Sequence, residues 1–220
     1  MVNILMNNPR VNEQWCRRRL SHYIRPGKKV LVVPFSFHEE YIPDEEAWHE
    51  NYDPGCSGYE EIVQPLERLG VSRNDIAFIN YFSDTPSSFG RLCYKADIVD
   101  LPGGYPDRLM SRLWDFGAIS QLSAFPGVML GFSAGAMAQI DRFHVTPEEP
   151  GQEFYFCDGL GCIRDFDLEV HFTGSEIQME CIHRTLEETG RTVIAMEEQG
   201  GLVLDRGRLY QMGKVHFFRA

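Results

Sequence analysis

The hydrophobic positions of this chain fall into short, continuous runs that are separated by segments with helical periodicity. Unbroken apolar runs are typical of strands that are covered on both faces of a sheet. We predict five such strands, at about residues 2–6, 29–34, 75–80, 97–101 and 127–131. Helical patterns lie between them, at about residues 11–24, 57–69, 105–121 and 133–140. Pro65 should bend the second of these helices or lie in its first turn.

The order of these elements predicts the fold class. Strands that alternate with helices form right-handed crossovers, so we expect an α/β fold with a mostly parallel central sheet flanked by helices. After residue 141 the pattern changes to a Pro/Glu-rich loop at 146–153, a strand near 167–172, a helix near 175–189 and β segments at 192–196, 201–205 and 208–218. The sequence DRGR at 205–208 favours a hairpin turn. We expect one domain, residues 1–220, with a β-rich C-terminal extension.

Composition narrows the class of protein. The net charge of −11 makes nucleic acids and anionic membrane surfaces unfavourable partners. No stretch approaches the roughly 20 apolar residues of a membrane span, and we expect no secretory signal at the N-terminus. The six cysteines contain no C-x-x-C pair, so we interpret them as reduced thiols. These features favour a cytoplasmic protein, and they leave the oligomeric state open, with a homodimer as one option.

The segment 128–140 carries the strongest signal for chemistry. An apolar strand is followed by the turn GFSAG at 131–135 and then by a helix of small residues. This is the arrangement of a nucleophile elbow, in which Ser133 stands on a tight turn between a strand and a helix. The alternative is a turn whose serine only caps the helix. The strand before the turn and the small residues after it favour the nucleophile.

A serine hydroxyl needs a base to accept its proton, and we favour His171 among the seven histidines. It ends a short predicted strand, and sites in open α/β sheets form at the carboxyl ends of strands. Four other histidines lie in helices, beyond the elbow helix or in the terminal strand. We interpret these four as structural residues: His22, His144, His183 and His216.

A third group normally orients the base, and it is usually a carboxylate on the other imidazole nitrogen. Glu197 and Glu198 end a predicted strand, and Asp205 is a further candidate; we favour Glu198. The oxyanion hole needs two amide donors. One is the amide of Ala134, and we expect the other from the turn LPGGY at 101–105, which ends a neighbouring strand.

Together these motifs resemble the peptidase E family of serine peptidases, which includes aspartyl dipeptidases and cyanophycinases and is related to the class I glutamine amidotransferase fold. The family pattern is a strand ending in Gly-Gly-Asn, a G-x-S-A-G-A elbow, a Pro-His-(Phe/Tyr) strand end and an acidic loop resembling Leu-Pro-Glu-Gly. The corresponding segments here are PGGY at 102–105, GFSAGA at 131–136, VHF at 170–172 and MEEQG at 196–200. The resemblance extends from about residue 29 to residue 212.

The resemblance implies a flavodoxin-like, amidotransferase-like fold and a hydrolase that uses no cofactor. It implies a nucleophile (Ser133), a base (His171), an orienting acid (Glu198), oxyanion donors (Gly104 and Ala134) and substrate contacts (Gly103 and Tyr105). The chain order Ser, His, acid differs from the order Ser, acid, His of α/β-hydrolases. A serine in place of a cysteine argues against a working glutamine amidotransferase.

Two departures from the family pattern bear on the substrate. The family's Asn after Gly-Gly is Tyr105 here, so one polar substrate contact is lost or replaced. The aspartyl dipeptidases also carry a Gly-Glu-Thr-Arg-like stretch after the histidine, whose arginine holds the acidic side chain of the substrate. The corresponding residues 174–178, GSEIQ, contain no arginine. A substrate carboxylate would be left unpaired, so we expect little or no preference for an N-terminal Asp.

Residues 38–60 form an acidic and aromatic insert after the second predicted strand. His38, Glu39 and His49 are metal-ligand types, but their spacing matches no zincin pattern, and we predict no metal. We interpret the insert as a lid or wall of the substrate site, since long loops at strand ends often carry function. Its carboxylates could attract a free α-amino group. Changing Glu45 and Glu46 to Gln should therefore raise KM for peptides with a free N-terminus.

The sequence thus predicts a serine peptidase that hydrolyses dipeptides or short peptides through a Ser–His–Glu triad and an acyl-enzyme. One alternative is a non-catalytic, amidotransferase-like module that binds a metabolite or a partner. Another is a hydrolase of a non-peptide amide or ester. Fluorophosphonate labelling of Ser133 separates the enzyme from the binding module, and a substrate panel separates the two kinds of hydrolase.

Overall fold

The computed structural model describes residues 1–147 and 152–219. The strands are β1 (Val2–Met6), β2 (Val30–Val32), β3 (Ile76–Phe78), β4 (Ile98–Leu101), β5 (Val128–Phe132), β6 (Arg142–Val145), β7 (Tyr155–Asp158), β8 (Phe166–Glu169), β9 (Thr192–Asp205) and β10 (Arg208–Phe218). The helices are α1 (Gln14–Leu20), α2 (Glu45–Tyr52), α3 (Ser57–Glu67), α4 (Pro86–Lys95), α5 (Pro106–Asp115), α6 (Ile119–Ser123), α7 (Ala134–Met137) and α8 (Glu176–Thr189).

The central sheet has the strand order β10-β9-β1-β5-β4-β2-β3, and β8 pairs with the first part of β9. Five of these strands run parallel to one another, in the order β1, β5, β4, β2 and β3. β9 is antiparallel to both β1 and β10, and β6 and β7 form a separate hairpin. The predicted fold class, a mostly parallel sheet flanked by helices, is confirmed.

Successive residues of the central strands point into hydrophobic clusters on opposite faces of the sheet. Leu5 and Met129 pack with α5 and α7 in one cluster, whereas Ile4 and Leu130 pack with α1 and α3 in the other. All four side chains are fully buried, and burying each one stabilises the fold by about 1.5–3 kcal/mol. Burial on both faces explains why these strands are unbroken apolar runs in the sequence.

Some predicted elements differ from the structure. The helix predicted at 105–121 is two helices, α5 and α6, because the chain turns at Gly117, where φ is 71°. The strands predicted at 192–196 and 201–205 are one strand, β9, and the register of its pairing with β10 shifts between Gly213 and Val215. Pro65 lies near the C-terminal end of α3 and not in its first turn.

Other elements had no counterpart in the sequence prediction. The insert was read as a loop but contains α2, and α4 and the β6–β7 hairpin were not predicted. Residues 148–151 of the Pro/Glu-rich loop lie outside the described residues. Among the described residues, no helix has both the length and the apolar character needed to cross a bilayer.

Candidate active site

Ser133 stands on the turn between β5 and α7, with φ of 48° and ψ of −113°. A residue other than glycine adopts such a left-handed backbone only when its surroundings impose it. Two flanking glycines make room for the turn. A Cβ at Gly131 would overlap the carbonyl oxygen of Gly135, and a Cβ at Gly135 would overlap that of Leu101. The Ser133 amide donates to the Met6 carbonyl oxygen at 2.8 Å, which ties the turn to β1.

The turn at 102–105 packs directly against the serine. A Cβ at Gly103 would lie 3.3 Å from the Ser133 Cβ, so the two residues are in contact. Gly104 has φ of 139°, and a Cβ there would overlap the carbonyl oxygen of Ser36. The same carbonyl oxygen accepts the Tyr105 amide at 2.8 Å. Ser36 therefore holds the glycine turn in place beside the candidate nucleophile.

The two amides assigned to the oxyanion hole have no other partner. Within residues 1–147 and 152–219, neither the Ala134 amide nor the Gly104 amide donates a hydrogen bond. The Ala134 amide is the first of α7, and the first N–H groups of a helix have no partner within the helix. Both donors are thus available to an oxyanion, if one forms beside Ser133.

His171 follows β8 and also has a left-handed backbone, with φ of 50°. Side chains hold this residue on both sides. The His171 amide donates to Asn7 Oδ1 at 3.1 Å, and the His171 carbonyl oxygen accepts from Gln178 Nε2 at 3.1 Å. The Asn7 side chain, which is buried, also donates to the carbonyl oxygens of Met196 (2.9 Å) and Glu197 (2.6 Å). These contacts fix the histidine relative to β9.

Glu198 is the carboxylate that meets the histidine. Its Oε2 lies 3.1 Å from His171 Nδ1, and its Oε1 accepts from Asn8 Nδ2 at 2.9 Å. Glu197 instead lies 2.9 Å from His216 and 3.1 Å from Lys214.

The third acidic candidate, Asp205, is also engaged elsewhere. Its carboxylate accepts from the Tyr23 hydroxyl at 3.1 Å and pairs with Arg206 at 3.3 Å. Of the three carboxylates that the sequence left open, Glu198 is therefore the one in contact with His171.

The environment of Glu198 favours its charged form. Burial raises the pKa of the carboxyl, but the hydrogen bonds from His171 and Asn8 outweigh this and lower the pKa below its ordinary value. The carboxylate is therefore ionised at neutral pH, and it can stabilise an imidazolium at His171. Because Nδ1 faces Glu198, the nitrogen left for proton transfer is Nε2.

In the described residues, the side chains of Ser133 and His171 are not hydrogen-bonded to each other. Among the described residues, Ser133 Oγ forms no hydrogen bond with His171 or with another side chain. Catalytic hydrogen bonds are often long or misaligned without substrate and tighten when it binds. The geometry therefore brings Glu198 to His171 and the glycine turn to Ser133, and it leaves the contact between Ser133 and His171 open.

A cavity of about 420 Å³ opens at the carboxyl ends of the central strands. The strand ends contribute Gly103, Phe132 and His171, and the insert and the start of α3 contribute Asn51, Tyr52 and Glu61. Ser133 adjoins this lining through Phe132 and through its contact with Gly103. The insert therefore forms one wall of the cavity.

Arg112 holds the beginning of the insert. This buried side chain of α5 donates to the carbonyl oxygens of Phe35 (2.7 Å) and Phe37 (2.5 Å) and pairs with Glu39 at 2.7 Å. Charge-assisted hydrogen bonds of this kind are about twice as strong as neutral ones. They explain how an acidic segment is held against the domain.

The remaining acidic residues of the insert lie elsewhere. Glu45 and Glu46 line a separate surface depression, away from the cavity that His171 lines, so the geometry does not support the expectation that changing them to Gln raises KM. The metal-ligand types also diverge: the His38 ring lies 5.0 Å from the Tyr105 ring, and His49 pairs with Asp53 at 2.8 Å. Within the described parts of the chain, no group of three or more His, Cys, Asp or Glu could hold a metal ion.

Sequence reasoning missed the residues that support the candidate base. Asn7 and Asn8 directly follow β1, and a signal for them was present, because sites of open α/β sheets form where strands end. Gln178 and Arg112 gave no comparable signal, since each lies within an amphipathic helical pattern.

No family model and no curated protein matches this sequence. Two solved structures are similar to it over nearly their whole length. One is a candidate peptidase E protein from Listeria monocytogenes EGD-e, with a TM-score of 0.59 and 14% identity, covering 100% of this chain and 98% of that chain. The other is a peptidase from an acI-B1 Actinobacterium, with a TM-score of 0.64 and 20% identity, covering 99% of this chain and 90% of that chain.

At these low identities the likeness concerns the fold. The chain has the α/β architecture of these two proteins, and the resemblance to the peptidase E family is confirmed at the level of the fold. What the fold does in this chain depends on the side chains at the site.

Proposed function

We propose that this protein is a serine peptidase that hydrolyses dipeptides or other short peptides. The observation that carries the proposal is the contact between His171 Nδ1 and Glu198 Oε2, at 3.1 Å, beside a cavity that His171 lines and whose wall adjoins Ser133. Both structural neighbours bear peptidase names, which supports a peptidase on this fold.

The proposed reaction has two halves. Ser133 Oγ attacks the peptide carbonyl carbon while His171 Nε2 takes the hydroxyl proton. The tetrahedral oxyanion that forms accepts hydrogen bonds from the backbone amides of Gly104 and Ala134. The C–N bond then breaks, the amine leaves with the proton from His171, and an acyl-enzyme remains. Water, deprotonated by His171, hydrolyses the ester and regenerates Ser133. Glu198 stays ionised and stabilises the imidazolium in both halves.

The oxyanion donors carry a large share of the expected rate. Loss of one such donor typically costs about 3–4 kcal/mol in the barrier, because preorganised amides stabilise charge that develops only in the transition state.

The size and lining of the cavity support a short substrate. A volume of about 420 Å³ lies within the range of small-molecule sites, and the wall formed by the insert limits its extent. Among the residues that the structure describes, none in the lining is an arginine or a lysine, so a substrate aspartate would find neither side chain to pair with its carboxylate. All six cysteines are free thiols, which supports the proposal of a cytoplasmic location.

Labelling with a fluorophosphonate tests the nucleophile. We expect covalent modification at Ser133 in the unaltered protein and much slower modification in His171→Ala and Glu198→Ala. Absence of labelling at Ser133 would leave the non-catalytic binding module as the better reading. A dipeptide library assayed in parallel with amide and ester substrates, with Ser133→Ala as the blank, distinguishes a peptidase from a hydrolase of other amides or esters.

A further inference from the structure

The cavity beside His171 contains one free carboxylate. In the described part of the chain, its titratable lining residues are Glu61, Tyr52 and His171, and no lysine or arginine contributes to it. Across residues 1–147 and 152–219, Glu61 forms no ion pair and no side-chain hydrogen bond. The adjacent Glu60 provides the contrast, because Arg73 holds its carboxylate with bonds of 2.5 and 2.7 Å. Glu61 is thus an exposed, unpaired negative charge at the cavity wall.

Among the described residues, the lining near Glu61 is polar and contains no lysine or arginine. The charge of Arg112 acts on Tyr52, but Arg112 is already paired with Glu39. Tyr52 and Glu61 line the same cavity. Burial raises the pKa of Tyr52 to about 12, and the negative charge of Glu61 adds to this shift. The Tyr52 hydroxyl therefore stays protonated at neutral pH. The Asn51 amide packs against Gly58, at the start of α3.

We propose that Glu61 binds a substrate ammonium group, so that the cavity selects peptides with a positive charge on the residue it holds. This inference rests on the proposed peptidase function and names its substrate class. A neutral substrate that fills the cavity strips water from the carboxylate without replacing its hydrogen bonds, which is costly. An ammonium group instead supplies charge-assisted hydrogen bonds to it.

An opposing field comes from the N-terminus of α3, which lines the same cavity at Gly58. A helix N-terminus carries about half a positive charge and favours an anion. The full charge of Glu61 outweighs it, so the net preference is for a cation. Two ammonium groups fit this chemistry: the α-amino group of a peptide and the side chain of a lysine. Ligands that carry one of these groups, both or neither distinguish the two possibilities.

Binding to the Ser133→Ala variant tests the proposal without turnover. The ligands are Lys-Ala, norleucine-Ala, Glu-Ala and N-acetyl-norleucine-Ala, measured by calorimetry with and without Glu61→Gln. We expect Glu61→Gln to weaken binding of cationic ligands about tenfold, as expected for one hydrogen bond to a charged group. A preference for Lys-Ala over norleucine-Ala identifies the lysine side chain, and a loss on acetylation identifies the α-amino group.

The matched control is Glu46→Gln, which removes the same charge from the insert but outside this cavity. It should leave all four dissociation constants within about twofold of their values. Equal weakening by Glu61→Gln of the ligands with an ammonium group and of N-acetyl-norleucine-Ala, which has none, would overturn the proposal, and so would equal effects of Glu61→Gln and Glu46→Gln. Thermal melts confirm that the variants remain folded.

A failure of this inference differs visibly from a failure of the peptidase assignment. If fluorophosphonate does not label Ser133 but Glu61→Gln still weakens Lys-Ala selectively, the peptidase assignment falls and Glu61 keeps its role as an ammonium site. If Ser133 is labelled and peptides are cleaved with no dependence on Glu61, only the substrate preference is wrong.

Discussion

A buried group of charges behind the candidate base makes stability depend on pH. His144 of β6 is fully buried, its Nε2 lies 2.7 Å from Glu169 Oε2, and its Nδ1 lies 3.2 Å from Asp167 Oδ2. Arg191 extends the group, at 2.6 Å from Asp141 and 3.6 Å from Asp167. Both carboxylates that face the imidazole belong to β8, the strand that leads to the candidate base.

The pKa of His144 sets the size of the effect. Burial alone would lower it, but the negative charges of Asp167 and Glu169, with the hydrogen bond to Glu169, raise the pKa from 6.5 to about 9. Since one pKa unit corresponds to about 1.4 kcal/mol, this rise corresponds to about 3 kcal/mol of stability. The folded pKa lies above the unfolded one, so the contribution is fully present below about pH 6.5. It is lost as the pH rises through about 9.

Urea denaturation of the unaltered protein and of His144→Gln, between pH 6 and pH 10, measures this contribution. We expect the free energy of unfolding of the unaltered protein to fall by about 3 kcal/mol more over this range than that of the variant. At pH 6 the variant should also be less stable by about 3–5 kcal/mol, because two buried carboxylates lose their cation. His183→Gln, on the exposed side of α8, should follow the unaltered protein.

Groups that titrate in both the unaltered protein and His144→Gln contribute equally to the two pH profiles, so their contributions cancel in the difference. The buried thiols, whose pKa values burial raises, are an example. Parallel pH profiles for the unaltered protein and His144→Gln would refute the reasoning. That result would mean that the imidazole is not charged in the fold between Asp167 and Glu169.

Two further expectations follow from single side chains. Asp100 is fully buried and has no hydrogen-bond partner among the described residues, and burial raises its pKa well above the ordinary value. Compared with the unaltered protein, Asp100→Asn should therefore unfold at a higher urea concentration at pH 7 and at the same concentration near pH 3. An unchanged difference across that range would show that the carboxyl has a partner in solution. Glu198→Gln should lower kcat at least about 100-fold by removing the acceptor at His171 Nδ1, whereas Glu197→Gln should leave kcat within about twofold. Steady-state kinetics on the best dipeptide checks both, and equal losses would contradict the assignment of Glu198.

The sheet could be predicted because its strands are covered on both faces and are therefore apolar throughout. The two helices that the sequence did not predict, α2 and α4, bury few side chains. Among the residues of α2, Trp48 is the buried one, so the helix has no apolar stripe. In α4 the buried residues are Phe89 and Cys93, and the helix start depends on the capping box between Thr85 and Ser88. Phe89 and Cys93 lie one turn apart on the same face, so the apolar stripe of this ten-residue helix is present but short.

The candidate site divides in the same way. The elbow could be predicted because the tight turn itself requires glycine. A Cβ at Gly135, for example, would overlap the carbonyl oxygen of Leu101. The choice between Glu197 and Glu198 could not be predicted. Adjacent side chains of a strand point to opposite faces of the sheet, and the sequence does not show which face meets His171. Only the assembled sheet shows that Glu197 faces His216 and that Glu198 faces His171.

Three consecutive residues at the end of β1 each hold one member of the proposed triad. The Met6 carbonyl oxygen accepts the amide of Ser133, the Asn7 side chain accepts the amide of His171, and the Asn8 side chain donates to the carboxylate of Glu198. The backbone at both Ser133 and His171 is left-handed, and such strain persists only where neighbours fix it.

A structural role for Ser133 and His171 would not require this strain, since a capping serine and a packed histidine fit ordinary backbone conformations. The proposed catalytic role accounts for the strain at Ser133, because a nucleophile elbow holds its serine on a sharp turn between a strand and a helix. The end of β1 supplies the common support for both residues. This is the physical reason to regard the three distant residues as one site.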